Sequence, residues 1–200
     1  MTRALFAFAA ALLLAVPPPA RAAGPSERAE KQRRYFTDTV LVDQDGRKVR
    51  FFEDVLAGNV VVIDFVFTRC TGACPLLTRK LLQVRSELGE GSSRAVRFVS
   101  ISVDPQHDGP AELRGFARKH GADVPGWTFL TGKKADVDLV VKKLGQYVEA
   151  IEDHSTVFIA GNARTGHWSR MKPDASPTVI AERLRNMLAE DPSGPVASKN

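Results

Sequence analysis

The sequence predicts a three-layer α/β domain, in which helices cover both faces of a mixed β-sheet. Its 200 residues are 44% hydrophobic and 26% charged, a composition that can build one globular core and is not typical of disordered chains. Two nearly continuous β-branched and aromatic runs, at residues 60–67 and 96–103, are typical of strands buried on both faces. A helical pattern follows each run, so the predicted order is hairpin, β-α-β-α, hairpin and helix.

The N-terminus has the layout of a secretory signal peptide over residues 1–22. Arg3 precedes an apolar run at residues 4–16, which is followed by prolines and by the cleavage-site pattern Ala20-Arg21-Ala22, with small residues on both sides of Arg21. This run is shorter than the about 20 residues that span a bilayer. We therefore expect cleavage after Ala22 or Ala23 and a periplasmic protein. The alternative is an uncleaved anchor that holds the chain at the inner membrane, facing the periplasm.

A linker is expected before the first elements of the folded domain, which is predicted to cover residues 36–190. Residues 23–35 are polar and charged with scattered small residues, as in a flexible linker. Two short apolar stretches, at 40–42 and 49–51, flank an Asp-Gly turn and predict an N-terminal β-hairpin. The buried run at residues 60–67 is expected to be the central strand.

The later elements alternate between helix and strand. Leucines recur at helical spacing from Pro75, at the first helical position, to Gly89, and Pro110 begins a second helix. The remaining predicted elements are a strand at 127–130, a helix at 136–144, a hairpin of 156–159 and 167–168 joined through Gly161-Asn162, and a last helix that Ser176 caps and Pro177 begins. Residues 191–200 lack apolar periodicity and are expected to be a loose tail.

The positive charge of the chain does not indicate nucleic-acid binding. The formal net charge is +5, but residues 1–22 hold two arginines and no acid, which leaves 26 basic and 23 acidic side chains. The resulting +3, without a basic stripe interleaved with aromatic residues, is too weak for phosphate-backbone binding. We therefore expect no nucleic-acid partner.

The only cysteines of the sequence, Cys70 and Cys74, lie where a buried strand gives way to a helix. With Pro75 at the first helical position, Cys74 is expected to be the N-cap, its sulfur facing free backbone N–H groups and the positive end of the helix dipole. That environment stabilises a thiolate, which is both the nucleophile of disulfide exchange and a ligand for soft metals. The alternative is a small structural disulfide in an exported protein.

Three motifs resemble the Sco/SenC family of thioredoxin-like copper proteins. They are DFVFTRCTGACP at residues 64–75, SVDPQHD at 102–108 and DHS at 153–155, and the resemblance covers the chain from about Phe36 to Leu188. It implies a thioredoxin-like fold and a copper chaperone for assembly of the dinuclear copper centre of cytochrome c oxidase. The chain departs from the family pattern in Arg69 and in Thr71-Gly72-Ala73, which stands where many members have a loop with proline.

The resemblance also implies the copper ligands, which are Cys70, Cys74 and His154. Two thiolates and one imidazole form a soft set that favours Cu(I) over Mg²⁺ or Ca²⁺, with Cu(II) as an alternative and zinc as a competitor. The partners expected are the copper-binding subunit of cytochrome c oxidase, a thioredoxin-like reductase and another copper carrier. On spacing alone, His154 could equally be an ordinary loop histidine.

Several aspartates near these motifs have more than one interpretation. Asp153 either orients the His154 imidazole by a hydrogen bond or is solvated. Asp104 and Asp108 are expected to form a turn and cap the next helix, although Asp104 is also a candidate support of the metal site. The other histidines match no ligand pattern and are expected on the surface; they are His107, His120 and His167.

Asp64 is a lone carboxylate in the apolar run, six residues before Cys70. Thioredoxin has a buried aspartate at the same offset, and burial would raise the pKa of Asp64 and let it accept a proton from a thiol. The alternative is a position at a strand edge or a hydrogen bond to the backbone. Asp64 therefore keeps open a second function, a thiol-disulfide oxidoreductase that reduces cysteines of the oxidase copper subunit or acts in redox signalling. Whether the chain is an enzyme or a metallochaperone stays open, and nothing in the loop favours a peroxidase.

Overall fold

The computed structural model describes residues 24–149 and 156–190. In chain order the elements are α1 (Pro25–Phe36), β1 (Val40–Asp43), β2 (Lys48–Arg50), a π-helical segment (Phe51–Leu56), β3 (Val60–Val66), α2 (Ala73–Ala95), β4 (Val96–Ser102), α3 (Pro110–Lys119), β5 (Trp127–Thr131), α4 (Lys134–Lys143), β6 (Phe158–Asn162), β7 (His167–Met171) and α5 (Pro177–Ala189). Within α2, Gly89 has non-helical backbone angles, so the first helical stretch ends where the sequence predicts.

The strands of the described residues form one mixed sheet in the order β2-β1-β5-β4-β3-β6-β7. The pairs β3–β4 and β4–β5 are parallel, and all the other neighbours are antiparallel. This topology confirms the predicted class and the N-terminal hairpin. The prediction that β3 is central was wrong, because the N-terminal hairpin extends the sheet beyond β5 and leaves β4 in the middle.

Helices cover both faces of the sheet, and alternate residues of β3 supply both cores. Val62 faces a core shared with α2, α3 and α5. Ile63 faces a second core shared with α1, α4 and the π-helical segment. Because β3 and β4 are parallel and in register from Val60 to Val66, the loops that follow them meet at the same edge of the sheet.

Residues 25–35, expected to belong to a flexible linker, form α1 together with Phe36 instead. Its Gln32 Nε2 donates to the Ala163 carbonyl at 2.9 Å, and its Oε1 accepts from Trp168 Nε1 at 3.0 Å. Phe36 contacts the ring of the same tryptophan, with centroids 4.3 Å apart. The linker prediction failed because a polar side chain docks this helix, and apolar periodicity does not detect such a contact.

The β6–β7 hairpin turns at residues 163–166 rather than at Gly161-Asn162 as predicted. Both of those residues lie within β6, where Gly161 pairs with Trp168. A side chain at Gly161 would overlap the Trp168 ring, so this glycine serves close packing. Gly166, with φ +76°, supplies the left-handed residue that the turn requires.

Among the residues that the structure describes, none of the helices is both long and apolar enough to span a bilayer. The predicted signal peptide at 1–22 and the predicted tail at 191–200 lie outside those residues.

Candidate metal and redox centre

The two cysteines lie on a tight turn between β3 and α2. The Cys70 N–H donates to the Phe67 carbonyl at 3.1 Å, and α2 begins at Ala73 after Gly72. Cys74 is therefore the second residue of the helix, and the prediction that it is the N-cap was wrong. Gly72 occupies the cap position with φ −110° and ψ −96°, which lets the helix start before Pro75.

Cys70, rather than Cys74, accepts the hydrogen bonds of the helix N-terminus. Its sulfur lies 3.4 Å from the Cys74 backbone nitrogen, which donates to it. Partial burial raises the pKa of Cys70, but hydrogen bonds from the Cys74 backbone and thiol and from the backbone of Gly72 and Ala73 outweigh burial and lower the pKa below its usual value. The half-buried Cys70 is the thiolate-forming member of the pair.

Cys74 has the opposite environment. Its side chain is fully buried beneath α2, and burial raises the pKa of its thiol to about 12, with the contact to Cys70 and the nearby Asp64 carboxyl adding to the shift. A hydrogen bond from the backbone of Phe67 lowers the pKa only in part. The pair thus consists of Cys70, whose thiol has a lowered pKa, and Cys74, whose thiol is buried and has a raised pKa. The two sulfurs do not form a disulfide in this structure.

Asp64 is fully buried and faces the same core as Cys74. Ser100 Oγ donates to its Oδ1 at 2.6 Å and accepts from Trp127 Nε1 at 2.9 Å, while Asp64 Oδ2 has no hydrogen-bond partner among the residues that the structure describes. Burial raises the pKa of this carboxyl to about 7, although the Ser100 hydrogen bond lowers it in part. The sequence placed Asp64 in the interior, but nothing in it showed that Ser100, itself held by Trp127, would donate to one carboxyl oxygen.

Asp104 lies in the loop after β4 and is almost fully buried. Its Oδ2 accepts from Arg69 at 2.7 Å, and its Oδ1 lies 2.8 Å from His107 Nδ1. Burial raises the pKa of Asp104, but the hydrogen bonds to His107 and Arg69 outweigh it and lower the pKa. Asp104 therefore supports the residue next to Cys70.

Asp108 does not cap α3, contrary to the sequence interpretation, because Gly109 is the N-cap and no side chain bonds there. The Asp108 carboxylate instead reaches across to Thr68, whose hydroxyl donates to it at 2.6 Å, and to Ser102, whose hydroxyl donates at 2.7 Å. Sequence reasoning missed the contact with Thr68, since the 40 residues between the two positions leave no local signal.

Asp153 and His154, the expected support and third ligand, lie outside the described residues. The expectation that the other histidines are simple surface residues holds only in part: His107 bonds Asp104, and His167 Nδ1 lies 2.5 Å from Glu190 Oε1. Residues 24–149 and 156–190 contain no group of three or more His, Cys, Asp or Glu side chains that could hold a metal. The described part of the site therefore offers two sulfur donors.

A cysteine pair with three intervening residues, placed where a buried strand meets a helix in a mixed sheet with helices on both faces, defines a thioredoxin-like thiol protein. The chain belongs to the SCO1/SenC family, whose model matches residues 27–189.

Named relatives agree with this membership. The SCO1 protein homolog of Bacillus subtilis is 37% identical over 90 residues, which are 45% of each chain. A SCO2-like protein of Rickettsia conorii is 27% identical over 159 residues, 74% of this chain and 75% of its own. The match to the Bacillus protein therefore spans less than half of that relative's length.

Solved structures confirm the thioredoxin-like fold. Bradyrhizobium japonicum ScoI with copper bound has a TM-score of 0.63 at 24% identity and covers 74% of this chain and 96% of its own. The protein BsSco, described as a member of the Sco family of cytochrome c oxidase assembly proteins with a disulfide switch, has a TM-score of 0.65 at 25% identity. That match covers 76% of this chain and 92% of BsSco.

Proposed function

We propose that this protein is a periplasmic copper metallochaperone that matures the dinuclear copper site of cytochrome c oxidase. The observation that carries the proposal is the paired thiols of Cys70 and Cys74 at the strand–helix turn of a SCO1/SenC family member. Copper is the cargo because relatives of this fold have been solved with copper bound. The partners that follow are the copper-binding subunit of the oxidase, a thioredoxin-like reductase and another copper carrier.

The donor set fits Cu(I). Two sulfur atoms in contact suit a soft cation and leave hard cations without their preferred oxygen ligands. We assign the third ligand to His154, as the resemblance of the DHS motif at residues 153–155 to the Sco/SenC family implies, with Asp153 as the side chain that orients its imidazole. Three ligands leave the ion open to transfer to a partner.

The periplasmic location is supported by the signal-peptide pattern of residues 1–22. The intact mass of the exported protein tests it, because cleavage leaves a chain that starts at Ala23 or Gly24. Recovery of the full-length chain in the membrane fraction would support the anchored alternative.

Competition titration of reduced protein with a colorimetric Cu(I) chelator tests the copper assignment. The wild-type chain should bind one Cu(I), and Cys70→Ser or Cys74→Ser should abolish tight binding. His154→Ala should weaken binding and reduce the coordination number in X-ray absorption, whereas the control His120→Ala should not. Tight binding by both cysteine variants would refute the assignment, and an unchanged spectrum in His154→Ala would remove that histidine from the site.

A second candidate function, thiol-disulfide oxidoreductase, is favoured by one observation, the buried Asp64 carboxyl on the face of the sheet below Cys74. Attack of the Cys70 thiolate breaks the partner's S–S bond, releases one partner sulfur as a thiolate and forms a mixed disulfide with the other. Cys74, after it loses its proton, attacks the Cys70 sulfur, which releases the second partner thiolate and forms the Cys70–Cys74 disulfide. A neighbouring carboxylate can accept that proton.

Exchange kinetics separate the two functions. Asp64→Asn should slow reduction of a model disulfide at least tenfold, because the rate of exchange depends on a neighbouring proton acceptor. Cu(I) affinity should change little, because an equilibrium constant does not depend on which base takes up the thiol protons. Asp174→Asn, an exposed acid, is the matched control. Equal exchange rates in Asp64→Asn and wild type, with tight copper binding retained, would leave the metallochaperone as the single function.

A further inference from the structure

One buried residue, Asp108, accepts hydrogen bonds from residues at the C-terminal ends of the three parallel strands. Thr68, just beyond β3, donates its backbone N–H to both carboxylate oxygens at 3.2 Å and its hydroxyl to Oδ1 at 2.6 Å. Ser102, the last residue of β4, donates to Oδ2 at 2.7 Å. Thr131, the last residue of β5, donates to the Asp108 carbonyl at 2.7 Å. Asp108 is fully buried, so water does not compete for these bonds.

The Thr68 contact leads directly to the reactive sulfur. Because the Cys70 N–H donates to the Phe67 carbonyl, Thr68 and Arg69 are the two central residues of the turn that delivers Cys70. Asp108 holds the first of them and Asp104 holds the second. Both central residues are thus fixed from the loop that follows β4, whereas Gly72, on the other side of Cys70, is exposed and has open space around it.

We propose that Asp108 is a positioning residue for Cys70. By holding the backbone and side chain of Thr68, it keeps the Cys70 sulfur against the N–H groups that begin α2. These hydrogen bonds exist in the dithiol form, so a loosened turn should favour the disulfide and weaken Cu(I) binding. The inference rests on the thiol and copper chemistry proposed above, and it adds a residue to which the sequence interpretation gave only a capping role.

A purely structural role for Asp108 makes a different prediction. If Asp108 merely joined two loops, its loss would lower thermal stability without changing the balance between dithiol and disulfide. The glutathione equilibrium measures that balance: one glutathione disulfide accepts two electrons and two protons from Cys70 and Cys74, its S–S bond breaks to give two glutathione thiols, and a Cys70–Cys74 bond forms.

The decisive variants are Thr68→Val, which keeps the shape of the side chain and removes its donated hydrogen bond, and Asp108→Asn. Each should shift the glutathione equilibrium about tenfold toward the disulfide, which for a two-electron couple is about 30 mV. Thr68→Ser restores the hydroxyl and should return the equilibrium to the wild-type value. Asp174→Asn controls for loss of an acid on the surface. Cu(I) affinity of Thr68→Val should fall at least tenfold.

All proteins are compared at a temperature where circular dichroism shows them folded. A glutathione equilibrium within twofold of wild type in Thr68→Val, with only the melting temperature lowered, would overturn the proposal, and this variant decides if Asp108→Asn does not fold. Failure of the wild-type protein to bind Cu(I) would instead refute the copper function. The glutathione equilibrium would still decide the positioning role in that case.

Discussion

At the scale of single residues, the fold gives two identical side chains opposite properties. Cys70 lies ahead of the helix and collects its free N–H groups, which lower the pKa of the thiol. Cys74 lies inside the helix and against the core, where burial raises the pKa to about 12. The early start of α2 at Ala73 produces this division, because it moves Cys74 from the cap into the first turn.

The first prediction concerns alkylation. With iodoacetamide at pH 8, Cys70 should react at least tenfold faster than Cys74, because the thiolate is the nucleophile and only Cys70 is partly exposed. Both cysteines fall in the tryptic peptide 70–79, so fragmentation of the singly labelled peptide must locate the label. A label found equally on both sulfurs would contradict the assigned asymmetry.

The second prediction concerns Asp64 and stability. Its pKa is about 7 in the folded chain against 3.8 when unfolded, so the folded state favours the neutral acid. The stabilisation is fully present below pH 4 and is lost as the pH rises through 7. The loss amounts to about 4 kcal/mol, since each pKa unit corresponds to about 1.4 kcal/mol.

Urea unfolding of wild type and Asp64→Asn between pH 4 and pH 8 measures this pH-dependent loss of stability. The free energy of unfolding of wild type, relative to the variant, should fall across that interval, because asparagine does not titrate. Parallel pH profiles for the two proteins would show that Asp64 has an ordinary pKa.

At the scale of elements, the β6–β7 hairpin depends on a glycine that leaves room for an aromatic ring. The Trp168 ring lies against Gly161 of the neighbouring strand. The same ring contacts Phe36 of α1, and its Nε1 donates a hydrogen bond to Gln32 of α1. The glycine is therefore required for the docking of α1 on the sheet, and its role as a turn residue was a wrong prediction.

The third prediction follows from that packing. Gly161→Ala should lower the free energy of unfolding by about 1–3 kcal/mol, because the added methyl group displaces the Trp168 ring. Gly115→Ala is the matched control: nothing lies within 4 Å of its added methyl in the exposed interior of α3, so stability should rise by about 0.5–1 kcal/mol. Chemical denaturation compares the two variants, and an unchanged stability in Gly161→Ala would refute the packing argument.

The contrast between β3 and α1 explains which elements the sequence could predict. Apolar composition alone identifies β3, β4 and β5 because these strands are buried on both faces. α1 docks partly through Gln32, and the start of α2 depends on the backbone of Gly72, so neither leaves an apolar pattern. The sequence likewise placed Cys70, Cys74 and Asp64 near one another, whereas the partnership of Asp108 with Thr68 needed the parallel register of β3 and β4.

At the scale of the whole molecule, the parallel strands bring the cysteine turn and the loop after β4 to the same edge of the sheet. At or near that edge lie the two cysteine sulfurs, the buried Asp64 carboxyl, and Asp104 and Asp108, which hydrogen-bond the cysteine turn. Under the proposed function, metal binding and disulfide formation use the same two sulfurs and are therefore mutually exclusive.

The most direct test of this central claim is the Cu(I) bound per chain by the same preparation before and after oxidation of Cys70 and Cys74 by glutathione disulfide. We expect one tightly bound Cu(I) in the reduced protein, none in the oxidised protein, and full recovery after reduction by a thioredoxin-like reductase. Equally tight binding of Cu(I) by the oxidised protein would place copper elsewhere on the chain and refute a copper site at Cys70 and Cys74.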